Sequence, residues 1–165
     1  MSYRYSNEQQ VGDAAYDKFV SIAERKGYEV KKSTRNQDMY DHIDLYLTKN
    51  EITVSLDVKA KKKINRYDSN SQSDYTYVEF QNVRGNKGWL YGKADIIAFE
   101  TDDTFVLVER EGLASYCEKV VDFKTKVGRA SESLYKIYSR SDRNDLISMI
   151  ELGIIPCVIK RIWKK

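Results

Sequence analysis

Residues 42–59 read HIDLYLTKNEITVSLDVK, and the alternation in this stretch decides the fold. Ile43, Leu45 and Leu47 alternate with His42, Asp44 and Tyr46. After Lys49-Asn50, Ile52, Val54, Leu56 and Val58 alternate with Thr53, Ser55, Asp57 and Lys59. A period of two on both sides of a short polar turn predicts a β-hairpin with one apolar and one polar face. A turn centred on Lys49-Asn50 or Asn50-Glu51 gives paired positions summing to about 99 or 101. Either register sets Asp44 opposite or diagonal to Asp57 on the polar face. Both also stack Ile43, Leu45 and Leu47 on Val54, Leu56 and Val58. Lys59, two residues after Asp57, shares the polar face.

Two carboxylates held this close repel unless a positive charge lies between them. Oxygen donors without a His/Cys cluster favour Mg²⁺ or Mn²⁺. A lysine beside such a cation can orient an attacking water and balance charge on a phosphorane-like transition state. The bland alternative is a solvated polar face carrying an Asp–Lys pair.

Outward from the hairpin, Ser6-Asn7-Glu8-Gln9 reads as a variant capping box. Val11, Ala15, Phe19, Ile22 and Ala23 then repeat at helical spacing up to Gly27. Tyr28 and Val30 begin a short strand. Residues 68–74, DSNSQSD, have the composition of a mobile loop, and residues 75–82 form another strand. ADIIAFE and TFVLVE are buried strands joined by Thr101-Asp102-Asp103. Residues 111–121 are helical, Ser141 caps a helix over 142–151, and CVIKRIW is a final strand. The expected fold class is α/β (α+β): a twisted mixed sheet of about five or six strands flanked by helices, in a single domain over 1–165.

With helix, Lys-Gly-Tyr-Glu-Val, H-I-D-L and V-S-L-D-V-K in that order, the chain resembles the PD-(D/E)xK nuclease superfamily, whose fold is restriction-endonuclease-like. The resemblance is close over residues 12–60 and looser beyond. Ile43 stands where the family often has proline. The resemblance implies that Asp44 and Asp57 bind metal, with the Val58 carbonyl as a further ligand, and that Lys59 positions the water. It also implies an acid from the first helix, for which Asp17 ranks first, Asp13 next, and Glu8 competes. His42, two before Asp44, is expected as a hydrogen-bonding neighbour rather than a ligand. Glu79 and Gln81 share a strand face. If residues 75–82 border 52–61, Glu79 is a third carboxylate ligand and Gln81 a contact to substrate or water. The run EFQNVRGNKGWLYGKAD resembles small phage-encoded members of the superfamily. In that setting Lys93 and Asp95 are structural or lie at the rim.

Cations gather at the exit of the hairpin: Lys61, Lys62, Lys63 and Arg66, with Arg84 and Lys87 in the later glycine-rich turn. Lys62 is expected on the strand face opposite Lys59. These are the expected phosphate contacts. Trp89 could stack on a base or anchor the turn. Arg140, Arg143 and the tail Lys160-Arg161-Ile162-Trp163-Lys164-Lys165 add further charge.

The overall balance is only mildly basic, Lys+Arg 28 against Asp+Glu 25. No apolar run suits a membrane span and the amino terminus carries no secretory pattern, so a bacterial or phage-host cytoplasm is expected. One histidine and two cysteines leave a structural zinc site incomplete. Cys117 and Cys157 are expected as free buried thiols. The reading is a Mg²⁺- or Mn²⁺-dependent nuclease acting on DNA, with RNA not separated from it, and a homodimer by analogy. Its rivals are a non-catalytic nucleic-acid-binding module on the same fold and an interaction protein whose DVK is accidental.

Overall fold

The structure is a computed structural model and describes residues 7–165. The predicted cap at Ser6 lies outside the described residues. Helix α1 (Asn7–Arg25) buries Ala15, Phe19, Ile22 and Ala23 on one stripe, while Val11 stays exposed. It ends where predicted. Gly27 adopts φ 87°, and the N–H groups of Gly27 and Tyr28 donate back to the carbonyls of Glu24 and Ala23.

Strand β1 (Glu29–Lys32) leads to a helix that the sequence reading did not find, α2 (Arg35–Asp41). A reciprocal capping box starts it: Thr34 Oγ1 accepts from Gln37 N–H, and Gln37 Oε1 accepts from Thr34 N–H. The hairpin follows as β2 (Leu45–Lys49) and β3 (Ile52–Lys59). Its turn residues, Asn50 and Glu51, both have left-handed φ, 52° and 65°, as a two-residue hairpin loop requires. The observed pairs, Leu45 with Leu56 and Tyr46 with Ser55, realise the second of the two expected registers.

The remaining elements are β4 (Tyr75–Gln81), β5 (Ile96–Glu100), β6 (Thr104–Glu109), α3 (Arg110–Val120), β7 (Asp122–Val127), β8 (Lys136–Tyr138), β9 (Leu146–Glu151) and β10 (Lys160–Lys164). They make a mixed α+β fold with two sheets rather than the single sheet expected. A six-stranded sheet runs β1-β2-β3-β5-β6-β10, and a four-stranded sheet runs β4-β9-β8-β7. Helix α1 covers one face of the larger sheet, over Leu45, Leu47, Leu56, Ala98, Phe105 and Leu107. The opposite face meets Val78, Phe80, Ile137 and Ile150 of the smaller sheet, together with Leu113 and Cys117 of α3. Successive residues of β6 therefore enter different cores, with Phe105 and Leu107 on one side and Val106 and Val108 on the other.

Several expectations change at this level. Strand 75–81 does not border 52–59. The partner of β3 on that side is β5, in parallel, and β4 pairs with β9. Residues 146–151 are a strand, not a helix. Sandwiched between β4 and β8, β9 buries Ser148, Met149 and Ile150 in succession, so it lacks the alternation that marks a half-exposed strand. Ile43 leaves the Leu45–Leu47 side and joins the core between the sheets, because the chain bends at His42, φ 55°. Cys117 is buried, but Cys157, in a single turn after Pro156, is exposed.

The loop at 68–74 is tied down. Gln72 donates twice to the Lys62 carbonyl and accepts from the N–H groups of Asp74 and Tyr75, and Ser73 Oγ accepts from Asp102 N–H. Among the described residues, no helix is long and apolar enough to cross a membrane.

Candidate active site

The hairpin register brings Asp44 and Asp57 together. Asp44 N–H donates to the Leu56 carbonyl at 2.8 Å, continuing the ladder one residue beyond β2. Its Oδ2 then accepts from Val58 N–H at 2.7 Å, which fixes the carboxylate across the strand beside Asp57. The polar face carrying Asp57 is not a solvated one. The smaller sheet and Trp89 close over it, and Asp57 is only 4% exposed. This burial removes the bland reading of a surface Asp–Lys pair.

Lys59 Nζ lies 3.1 Å from Asp57 Oδ2 and 4.6 Å from the centre of the Trp89 ring. Asp57 Oδ2 is a buried carboxylate oxygen with the Lys59 ammonium beside it and no well-formed hydrogen bond. Trp89 is placed by a close approach. A side chain at Gly88 would run into the Glu79 backbone, 2.2 Å from its carbonyl oxygen, so only glycine lets the turn return to β4 here.

A third acid, Asp38 on α2, stands beside Asp44. Burial and then the Asp44 carboxylate raise its pKa. Sequence reading missed it, although T-x-x-Q at Thr34–Gln37 was a legible helix start. With Asp44 and Val58, Asp38 lines a cavity of about 520 Å³ that also takes in Asp13 and Tyr16 of α1. Asp13 therefore faces the site. Asp17, ranked ahead of it, lies one helical turn further along α1 and is not part of the lining.

Glu79 approaches from the smaller sheet rather than from a neighbour of β3. Its Oε1 accepts from Trp89 N–H at 3.4 Å, and its charge acts on His42, whose pKa is lowered by burial and then by Lys59. Gln81 is turned away, with Nε2 donating to the Asn144 carbonyl. Asp95 Oδ2 accepts from both the N–H and the hydroxyl of Ser55, a structural tie between β3 and the start of β5. Lys61 pairs with Asp102 at 2.9 Å, away from the acids.

The pleat that would set Lys62 opposite Lys59 does not extend to it, because the strand ends at Lys59. Lys62 is exposed as a whole residue, yet desolvation around the ammonium and then Lys59 lower its pKa. Lys63, Arg66, Arg84 and Lys87 are exposed.

Burial, followed by the Asp57 carboxylate, pushes Asp44 up to about 6, and burial raises Asp57 as well. The folded chain therefore holds the Asp44 proton more tightly than the unfolded chain. The associated stability is present below the ordinary carboxylate range and is lost as pH rises through about 6, on the order of 3 kcal/mol. Asp44→Asn keeps an acceptor for Val58 N–H without the charge. In metal-free buffer its melting temperature should match wild type near pH 4 and exceed it above pH 6.5. A difference that does not vary with pH would remove the charge explanation.

Among the described residues, no group of three or more His, Cys, Asp or Glu is arranged to hold a metal. The donors at the hairpin are the Asp44 and Asp57 carboxylates and the backbone at Val58, with Asp38 beside Asp44. An all-oxygen set with two carboxylates suits a hard cation that keeps several waters.

No protein-family model matches the chain, and no curated protein matches it. Among solved structures the chain is similar to the bacterial homing endonuclease I-Ssp6803I. The TM-score is 0.46 and the identity 20%, over 68% of this chain and 72% of that one.

Proposed function

We propose that the chain is a divalent-metal-dependent nuclease of the PD-(D/E)xK type that hydrolyses phosphodiester bonds in DNA. The observation that carries this reading is the Asp57 oxygen, buried with no well-formed hydrogen bond beside Asp44 and Lys59. A buried carboxylate without full hydrogen bonding is costly, and two of them side by side are costlier still. Lys59 offsets part of that cost for Asp57, and a bound cation would offset it for both carboxylates.

In this reading Asp44 and Asp57 hold Mg²⁺ or Mn²⁺, with the Val58 carbonyl as a further ligand. The cation supplies Lewis acidity toward the phosphate and a water more acidic than bulk water. Lys59, stacked on Trp89 and already 3.1 Å from Asp57, is placed to hold the attacking water and to offset charge developing on phosphate oxygens. The Asp44 side chain stays oriented through Val58 N–H. Lys62, Lys63, Arg66, Arg84 and Lys87 offer cations to the backbone outside the reacting group.

The purified protein should cleave plasmid or oligonucleotide DNA with Mg²⁺ or Mn²⁺ and lose that activity in excess EDTA. Undiminished cleavage in EDTA would overturn the metal assignment. DNA binding without cleavage under any divalent ion would leave the non-catalytic module as the better reading.

A further inference from the structure

We propose that Lys32 and Arg35 form a second phosphate site, which holds the nucleotide next to the scissile bond. This proposal rests on the nuclease reading above. The cavity of about 520 Å³ that contains Asp44 and Val58 is also lined by Lys32, Ser33, Thr34 and Arg35, while Asp57 lies outside it. Asp44 and the two cations thus share one space although Asp44 lies beside β2 and the cations lie at the end of β1 and the start of α2. Backbone contacts fix their separation. Lys32 is the ladder partner of Leu45, and Ser33 N–H donates to the carbonyl of Asp44 itself at 3.0 Å. The cation-bearing segment therefore lies one strand spacing, about 4.8 Å, from the Asp44 segment.

The capping box at Thr34 and Gln37 holds Arg35 at the first position of α2. Lys32 Nζ sits 5.8 Å from the centre of the Tyr16 ring, which faces the same cavity. Among the described residues, neither Lys32 nor Arg35 forms an ion pair, despite three aspartates in the lining. Their charges are left for a ligand.

A single small phosphodiester would need only the acids of this cavity. A polynucleotide brings a second phosphate, since phosphates along one strand recur every ~3.4 Å of helix axis. With one phosphate at Asp44, the next falls within side-chain reach of Lys32 and Arg35, which line the same cavity. Lys32 and Thr34 also line an adjoining hollow of about 380 Å³ with Lys31 and Glu29. The geometry therefore selects a chain of phosphates over an isolated diester.

The experiment compares wild type with Lys32→Ala/Arg35→Ala and with Lys32→Arg/Arg35→Lys. Binding of a duplex oligonucleotide is titrated in Ca²⁺ across a salt series. Hydrolysis in Mn²⁺ is measured for the same duplex and for thymidine 5′-(p-nitrophenyl) phosphate, which has no neighbouring phosphate. The alanine variant should lower the salt slope by about 0.9, one phosphate contact. Its loss on the duplex should exceed its loss on the small diester by about tenfold or more, the scale of one charge-assisted contact. The charge-conserving variant should restore the slope.

An unchanged slope, or equal losses on both substrates, would overturn the second site. The binding series decides this even if no hydrolysis occurs. Hydrolysis absent from wild type on both substrates would instead fall on the nuclease reading. A wild type that neither binds nor cleaves would overturn both.

Discussion

Asp57→Asn should abolish metal-dependent cleavage, a loss of at least about 10³-fold, while leaving the metal-free protein as stable as wild type or more so. The first half follows from the number of donors. Asp44 and Asp57 are the two carboxylates assigned to the cation, so removing Asp57 takes away half of that anionic pair. Losing a preorganised charge at a phosphoryl site costs several kcal/mol of transition-state stabilisation.

The second half sets two effects against each other. Asparagine removes the partner of the Lys59 ammonium, and breaking a buried ion pair normally destabilises by about 3–5 kcal/mol. It also removes a carboxylate that burial alone disfavours, beside Asp44 and near Asp38. The raised pKa of Asp57 decides between them, because it means that desolvation outweighs the attraction of Lys59. Lys59 is partly exposed and keeps the Trp89 face, so its charge is not stranded. Thermal unfolding in EDTA at pH 8 reads the balance. A drop of more than a few degrees would make Asp57 a structural residue and weaken the metal reading.

Lys59→Met should slow the chemical step by roughly 10²-fold or more, the scale of a positioned acid–base or electrostatic group. Methionine keeps an apolar stem against Trp89 and deletes only the ammonium. DNA affinity in Ca²⁺ should fall far less, because several exposed cations remain. The change also leaves Asp57 without its nearby positive charge. Its pKa should rise further, and the pH at which cleavage switches on should move upward.

Lys62→Met is the informative partner. The pleat alone would place Lys62 on the far face, but β3 ends at Lys59 and Lys62 is exposed beyond it. It forms no ion pair with either aspartate. It should therefore lose affinity, with a smaller effect on single-turnover cleavage. Equal single-turnover losses in the two variants would mean that Lys59 has no special place in the chemistry.

The sequence by itself determined the hairpin. Alternation over 43–58 and a two-residue polar turn narrowed the register to two choices. Both put Asp44, Asp57 and Lys59 on one side, because side-chain direction in a paired strand follows from local geometry. The helix stop at Gly27 and the hairpin around Thr101-Asp102-Asp103 were legible for the same reason. Their signals lie within a few residues of the features they set. Helix α2, and with it Asp38, was also within reach, since a capping box is local.

Only the tertiary structure decided what that polar face meets. Strands 75–81 and 96–100 carry similar apolar patterns, and nothing local says which one borders β3. The choice of β5 freed β4 for the smaller sheet, which folds over Asp57 and turns a surface aspartate into a buried one. The same packing delivers Glu79 from the opposite sheet, sends Gln81 to Asn144, and makes a strand of residues 146–151 by flanking them on both edges. It also sets Lys32 and Arg35 in one cavity with Asp44. Each of these depends on contacts between segments far apart in the chain. Such contacts are fixed by which pairing buries the most surface over the whole molecule, and a pattern of a few residues carries no record of that comparison.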